Sequence, residues 1–309
     1  MYCALPKGIV PLLETPFDEN GKLDTASLLN LVEDTIAGGV NGLAAPLVAS
    51  EVYALSEDER DWVITVAARA IAGRVPFIAG ASSDAPEICR RFARLAAEIG
   101  AAAYVVAVPG RLYGQPAAAI IDFFRSATAG SAAPLIVQDL QFNGPGMDMD
   151  TIRALRDALP TLVGLKIETV PAGPKYTEVR QAFGPDFYIA GGWAAPQLIE
   201  ALDRGVDAMI PESALVRVFA AIYRAYDGGD RAEAIRIFRE LLPVLVFSNQ
   251  ELFHSIAFSK RLLARKGILR TAFMRPPGYQ WDDYNLKIAD ETIDYYLALE
   301  ARYPAGHRR

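Results

Sequence analysis

The stretch L162-V-G-L-K-I-E-T169 sets a lysine inside an apolar run, with a carboxylate two residues further on. Lysine is among the residues least often buried, because removing an unpaired ammonium from water is costly or shifts its pKa. Read as a strand, the stretch turns Val163, Leu165 and Ile167 to one face and Leu162, Gly164, Lys166 and Glu168 to the other. An amine held in partly apolar surroundings loses its proton more readily and becomes a nucleophile near neutral pH. Such a lysine forms a Schiff base with a carbonyl; the protonated imine then eases loss of a neighbouring proton or cleavage of a carbon–carbon bond. The plainer reading is a lysine snorkelling at a strand end or paired with Glu168.

The elements that must position Lys166 alternate along the chain. Strands are expected at Gly8–Leu13, Gly42–Pro46, Pro76–Ala79, Ala102–Val108, Leu135–Gln138, Leu162–Ile167, Phe187–Ala190 and Ala208–Ile210. Helices are expected between and after them at Thr25–Ala37, Ser56–Ile71, Ala85–Ile99, Pro116–Ala129, Met149–Ala158, Lys175–Phe183, Ala195–Leu202 and Ala214–Tyr226. Ser56-Glu57-Asp58-Glu59 is a capping box and marks one helix start. Eight strand–helix pairs over about 225 residues predict an α/β fold, a (β/α)8 TIM barrel over residues 1–226. A doubly wound sheet is the competitor, but no GxGxxG follows a strand and no GxxxxGK[ST] occurs. Beyond Asp227-Gly-Gly-Asp230 the alternation stops. Glu233–Phe247, Asn249–Lys266 and Asp282–Ala301 predict a C-terminal three-helix extension over residues 227–309. Of the seven lysines, Lys166 alone falls inside a predicted barrel strand, near the C-terminal end where barrel enzymes keep their active sites.

Composition narrows the function. The 309 residues are 52% hydrophobic, with 31 basic against 37 acidic side chains and a net charge of −6. No basic cluster suggests a phosphate-tracking groove, so no nucleic-acid partner is expected. Cys3 and Cys89 form no CxxC pair, and His254 and His307 cannot make a multi-histidine site, so neither a metal nor a cofactor is expected. The N-terminus lacks the pattern of a signal peptide and no apolar run has membrane-spanning length, which sets a cytoplasmic expectation without a membrane partner.

Three further motifs carry a resemblance. G8-I-V-P-L-L-E-T-P-F-D-E-N-G-K-L-D24, S50-E-V-Y-A-L-S-E-D-E-R60 and G164-L-K166 together resemble the dihydrodipicolinate synthase/N-acetylneuraminate lyase family along nearly the whole chain. The resemblance implies a Schiff-base (β/α)8 barrel with a helical extension, a homotetramer, and Lys166 as nucleophile. It also exposes two departures. Where the family has G-T-T-G-E, this chain has L47-V-A-S-E51, leaving Val48 and Ala49 only backbone groups for a substrate carboxylate and Ser50 as the nearby hydroxyl. Ser50 reads equally well as a turn residue using its hydroxyl locally. Where the family has Y-N-x-P, this chain has Q138-D-L-Q141, and glutamine cannot act as a general acid–base. The arginine expected just beyond has no counterpart in Phe142-Asn-Gly-Pro145, so dihydrodipicolinate synthesis is not expected.

V137-Q-D139, K166-I-E-T169 and S50-E51 are similar to a narrower branch, the 2-keto-3-deoxy-L-arabonate dehydratases. That similarity implies dehydration of a 2-keto-3-deoxy sugar acid, with Lys166, Glu168 and Ser50 as catalytic candidates. Candidate substrate-binding residues are Ala49, Ser50, Gln138, Gly192, Trp193 and Ile210. Ala190-Gly-Gly-Trp193 provides glycines where backbone must approach closely, with Trp193 either a pocket wall or helix packing. Glu212, after the eighth strand, disfavours a phosphorylated substrate and suits hydroxyl recognition or a helix start. The alternatives are a pyruvate-releasing aldolase and a catalytically silent barrel that binds a keto acid.

Overall fold

The computed structural model describes residues 4–193 and 195–304. Cys3 and His307 lie outside the described residues. Eight strand–helix pairs follow one another: β1 (Gly8–Ile9) and α1 (Thr25–Ala37), β2 (Leu43–Ala45) and α2 (Glu57–Ile71), β3 (Phe77–Gly80) and α3 (Pro86–Glu98), β4 (Ala103–Ala107) and α4 (Ala117–Thr128). Then come β5 (Leu135–Leu140) and α5 (Met149–Ala158), β6 (Leu162–Glu168) and α6 (Ala172–Phe183), β7 (Tyr188–Gly191) and α7 (Leu198–Asp203), β8 (Ala208–Met209) and α8 (Val216–Asp227). Three further helices, α9 (Arg231–Ser248), α10 (Leu252–Arg265) and α11 (Asp283–Glu300), complete the described chain. Among the described residues, no helix is long and apolar enough to cross a membrane.

Differences from the expected boundaries have local causes. The ladder of β1 stops at Ile9 instead of Leu13, because Pro11 has no N–H to donate. Helix α6 starts at Ala172, three residues early, since Pro174 sits in the first turn, where backbone N–H groups have no intrahelical partner. Helix α7 starts late, at Leu198: Ala195 precedes a proline and has φ 60°. The capping box of α2 forms as expected, with Glu59 N–H donating to Ser56 Oγ (3.2 Å) and Ser56 N–H to Glu59 Oε2 (2.9 Å).

The chain divides into two compact units. One comprises the chain up to Lys7 and Pro76–Ile210. Its strands β3 to β8 lie parallel in chain order, so their C-terminal ends share one edge. Both faces are covered, and Ile78, Val105, Ile136, Leu165 and Ile189 are fully buried, which is why these strands read as near-continuous apolar runs. Gly164 lets β6 approach β7: a Cβ there would run into the Tyr188 carbonyl oxygen. The other unit comprises Gly8–Val75 and the chain from Pro211, with β1, β2, α1, α2 and α8 to α11. Within it, Leu12 bridges both Ala44 and Glu212 in parallel, which gives the first strand a neighbour on each side.

Candidate active site

Register and pleat bring five predicted residues of the first unit together: Gln138, Lys166, Glu168, Gly192 and Trp193. β5 pairs with β6 so that Gln138 stands opposite Lys166, and β6 pairs with β7 so that Lys166 stands opposite Ala190. Lys166 is 2% exposed, and its Nζ lies 2.5 Å from Glu168 Oε2. The same oxygen accepts from Gln138 Nε2 (2.5 Å), while Glu168 Oε1 accepts from the Trp193 N–H (2.6 Å). Trp193 reaches that position with φ 48°, a left-handed conformation uncommon for a large side chain. Gly192 must be glycine-sized, since a Cβ would meet Glu168 Oε1 and stand 2.6 Å from Lys166 Nζ. Ile210, just past β8, is buried and its N–H donates to the Gly191 carbonyl (2.9 Å), bracing the β7 end.

Burial pushes the Lys166 ammonium below its ordinary value of 10.5, and the Glu168 charge and hydrogen bond oppose that shift. Burial alone does not single Lys166 out, because Lys175 and Lys260 are buried as well. Their surroundings differ. Lys175 Nζ donates to Asp139 Oδ2 (2.5 Å) and to the Pro145 carbonyl (2.8 Å). Lys260 pairs with Glu51, donates to the Phe273 carbonyl (2.9 Å) and lies 4.4 Å from the Phe17 ring centroid. Each has an anion and a carbonyl, as a structural ammonium requires. Lys166 has Glu168 as its partner among the described residues, and Gln138 competes for the same oxygen. Gln138 Oε1 is buried without a partner among the described residues, an acceptor suited to a substrate hydroxyl.

Asp139, one residue beyond Gln138 and on the opposite face, organises the loop after β5. It accepts from Tyr113 Oη (3.0 Å) and from the Met147 N–H (3.0 Å) as well as from Lys175. None of these contacts follows from local pattern, since the partners come from separate elements.

Ala49 and Ser50 belong to the second unit, in a single 3-10 turn at Val48–Ser50. Ser50 is fully buried; its Oγ accepts from the Leu47 N–H (3.0 Å) and its carbonyl accepts from Thr15 Oγ1 (2.6 Å). The hydroxyl therefore braces its own turn. Ala49 is half-buried beside it. This unit also holds two buried carboxylates, Glu14 and Glu212, at 0% and 5% exposure. Ser213 Oγ donates to Glu14, and Ser255 Oγ (2.9 Å) and Ser259 Oγ (2.7 Å) donate to Glu212. Burial, then the neighbouring Glu212 charge, push the Glu14 carboxyl up to about 7. Glu14 stands in an apolar run, I9-V-P-L-L-E14, the same signal that marks Lys166.

The chain has relatives that carry this framework. It is 27% identical over 277 residues to an L-2-keto-3-deoxyarabonate dehydratase of Azospirillum brasilense, covering 88% of each chain. It is 33% identical over 245 residues to a 4-hydroxy-tetrahydrodipicolinate synthase of Ruegeria pomeroyi, covering 77% of this chain and 81% of that one. Among solved structures, dihydrodipicolinate synthase from Rhodopseudomonas palustris superposes with a TM-score of 0.85 at 25% identity, over 96% of this chain and 99% of that one. The dihydrodipicolinate synthetase family model matches residues 5–293. With a lysine on the sixth strand and parallel strands alternating with helices, the chain belongs to the dihydrodipicolinate synthetase family, whose members are lyases and synthases that act through a Schiff-base lysine.

Proposed function

We propose that this enzyme dehydrates a 2-keto-3-deoxy sugar acid through an imine on Lys166. The observation that carries the reading is the contact of Lys166 Nζ with Glu168 Oε2 at 2.5 Å, beside a glutamine that cannot transfer protons. Lys166 gives a proton to Glu168, and the neutral amine attacks the C2 carbonyl. The carbinolamine hydroxyl leaves as water with the proton from Glu168-H, which yields the protonated imine and restores the carboxylate. The imine acidifies the C3 hydrogens, and Glu168 takes one proton to give an enamine. The enamine expels the C4 hydroxyl, which leaves as water with the proton returned by Glu168-H. Hydrolysis of the imine releases an oxo acid lighter than the substrate by one water and restores the amine. One carboxyl serving as base and then acid suits an elimination whose two proton transfers involve adjacent carbons. The likeness to the Azospirillum brasilense dehydratase supports the same substrate class.

A pyruvate-releasing aldolase is the second reading, because the same lysine imine and carboxylate can accept a carbon–carbon cleavage. The proposal gives Lys166, Glu168, Gln138, Gly192, Trp193 and Ile210 the site, in a cytoplasmic homotetramer.

Borohydride trapping tests the reading, with pyruvate and with 2-keto-3-deoxy-L-arabonate in parallel, followed by intact mass and peptide mapping. An adduct on Lys166 and a dehydrated, uncleaved product are expected. Released pyruvate would replace dehydration with aldol cleavage, and absence of any adduct would remove imine chemistry.

A further inference from the structure

Within the first unit, the large apolar side chains left exposed among the described residues are Phe142 (50%) and Val170 (53%). Both follow the strands that carry the site, Phe142 after β5 with Gln138 and Val170 after β6 with Lys166 and Glu168. The two loops are tied together, since the Val170 N–H donates to the Gly144 carbonyl (2.9 Å). The Phe142 ring packs edge-on against Trp193, centroids 5.1 Å apart at 78°. Trp193 is the residue whose N–H holds Glu168 at 2.6 Å. Phe142 is also held in place from behind. Its loop is pinned by the buried Lys175–Asp139 pair and by Lys175 to the Pro145 carbonyl. Phe142 and Trp193 are thus an aromatic pair joined to Glu168 through the Trp193 backbone.

We infer that Phe142 and Trp193 form a specificity wall against the tail of a keto acid bound on Lys166, selecting a short, uncharged distal end. This inference rests on the imine reading proposed above. Aromatic faces favour C–H surface, and a charged tail set against them would be desolvated without a counter-ion. The nearby Lys175 is already committed to Asp139 and cannot supply one.

The test is a chain-length profile that needs imine formation and no turnover. Half-saturating concentrations for borohydride trapping are measured for pyruvate, 2-oxobutanoate, 2-oxopentanoate, 2-oxohexanoate and 2-oxoglutarate, with mapping to Lys166. In the unaltered enzyme 2-oxoglutarate is expected to trap more weakly than 2-oxopentanoate, and affinity should fall at six carbons. Phe142→Ala should lower the six- to five-carbon ratio of half-saturating concentrations about tenfold, the scale of one methylene in an apolar pocket. Trp193→Ala, which keeps the backbone N–H, should shift it in the same direction. An unchanged profile in both variants, or equal trapping of 2-oxoglutarate and 2-oxopentanoate, overturns the wall while leaving the imine intact. A change of oligomer mass in Phe142→Ala with no change of profile assigns the patch to a second copy and also overturns it. Loss of trapping with every acid, in the unaltered enzyme, removes the imine reading and the wall together.

Discussion

Lys166 and Glu168 are an unequal pair: the carboxylate takes three donors, while the amine has that carboxylate alone among the described residues. Both side chains are buried, at 3% and 5% exposure. A buried ion pair holds together well only when its remaining lone pairs and protons are also satisfied. Here Gln138 and Trp193 satisfy the anion and leave the ammonium short of partners. The amine is thus the member set up to give its proton away, and the carboxylate the member held still.

That asymmetry sets a pH dependence. Burial lowers the Lys166 pKa, so the neutral nucleophile appears as pH rises through a value below 10.5. Imine formation with pyruvate, followed by trapping rate against pH, should rise with a midpoint below that figure. Glu168→Gln removes the charge that opposes the shift, so its midpoint should move lower still. A midpoint at or above 10.5 in the unaltered enzyme would contradict the burial argument.

Glu168→Gln should also separate the two chemical steps. The variant keeps a residue of the same shape beside Lys166 but cannot accept the C3 proton. Trapping on Lys166 should persist, while exchange of the C3 hydrogens into deuterated water, read by NMR, should slow by about 100- to 10,000-fold. Exchange at an undiminished rate would assign the base to another group.

Gly192→Ala probes the space beside the amine. Its Cβ would meet Glu168 Oε1 and lie 2.6 Å from Lys166 Nζ, so the pair must move. Gly192 is not among the glycines with positive φ, so alanine should be tolerated by the backbone. Trapping should fall by about 100-fold, the scale of a small displacement at a reacting centre, while the thermal midpoint changes little. A collapse in thermal midpoint with normal trapping would make the glycine a folding requirement instead.

Glu14 contributes to stability with the opposite sign from an ordinary paired carboxylate. Its folded value of about 7 lies above the ordinary 4.5, so the native state binds that proton more tightly than the unfolded chain. Its contribution is fully present below pH 4.5 and is lost as pH rises through 7, a change of about 3 kcal/mol. Glu14→Gln removes the titration. Denaturant unfolding at pH 5 and pH 8 should show the variant gaining on the unaltered protein as pH rises. Parallel stabilities at both pH values would show that Glu14 titrates normally.

Local chemistry made much of this protein legible in one dimension. Alternation along 162–168 puts Lys166 and Glu168 on one face, Ser56 and Glu59 form their cap, and the βα rhythm predicts the fold class. These features depend on residues within a turn or a pleat of one another, so spacing alone decides them. Tertiary structure alone decided the rest, because strand register and loop closure join residues that sequence keeps apart. Gln138 meets Glu168 across 30 positions, Lys175 meets Asp139 across 36, and Ser213 meets Glu14 across 199. Only there does it emerge that three lysines are buried and that two of them are anchored by carbonyls. Lys166 lacks such a carbonyl, so its environment removes water without replacing all the hydrogen bonds that water made.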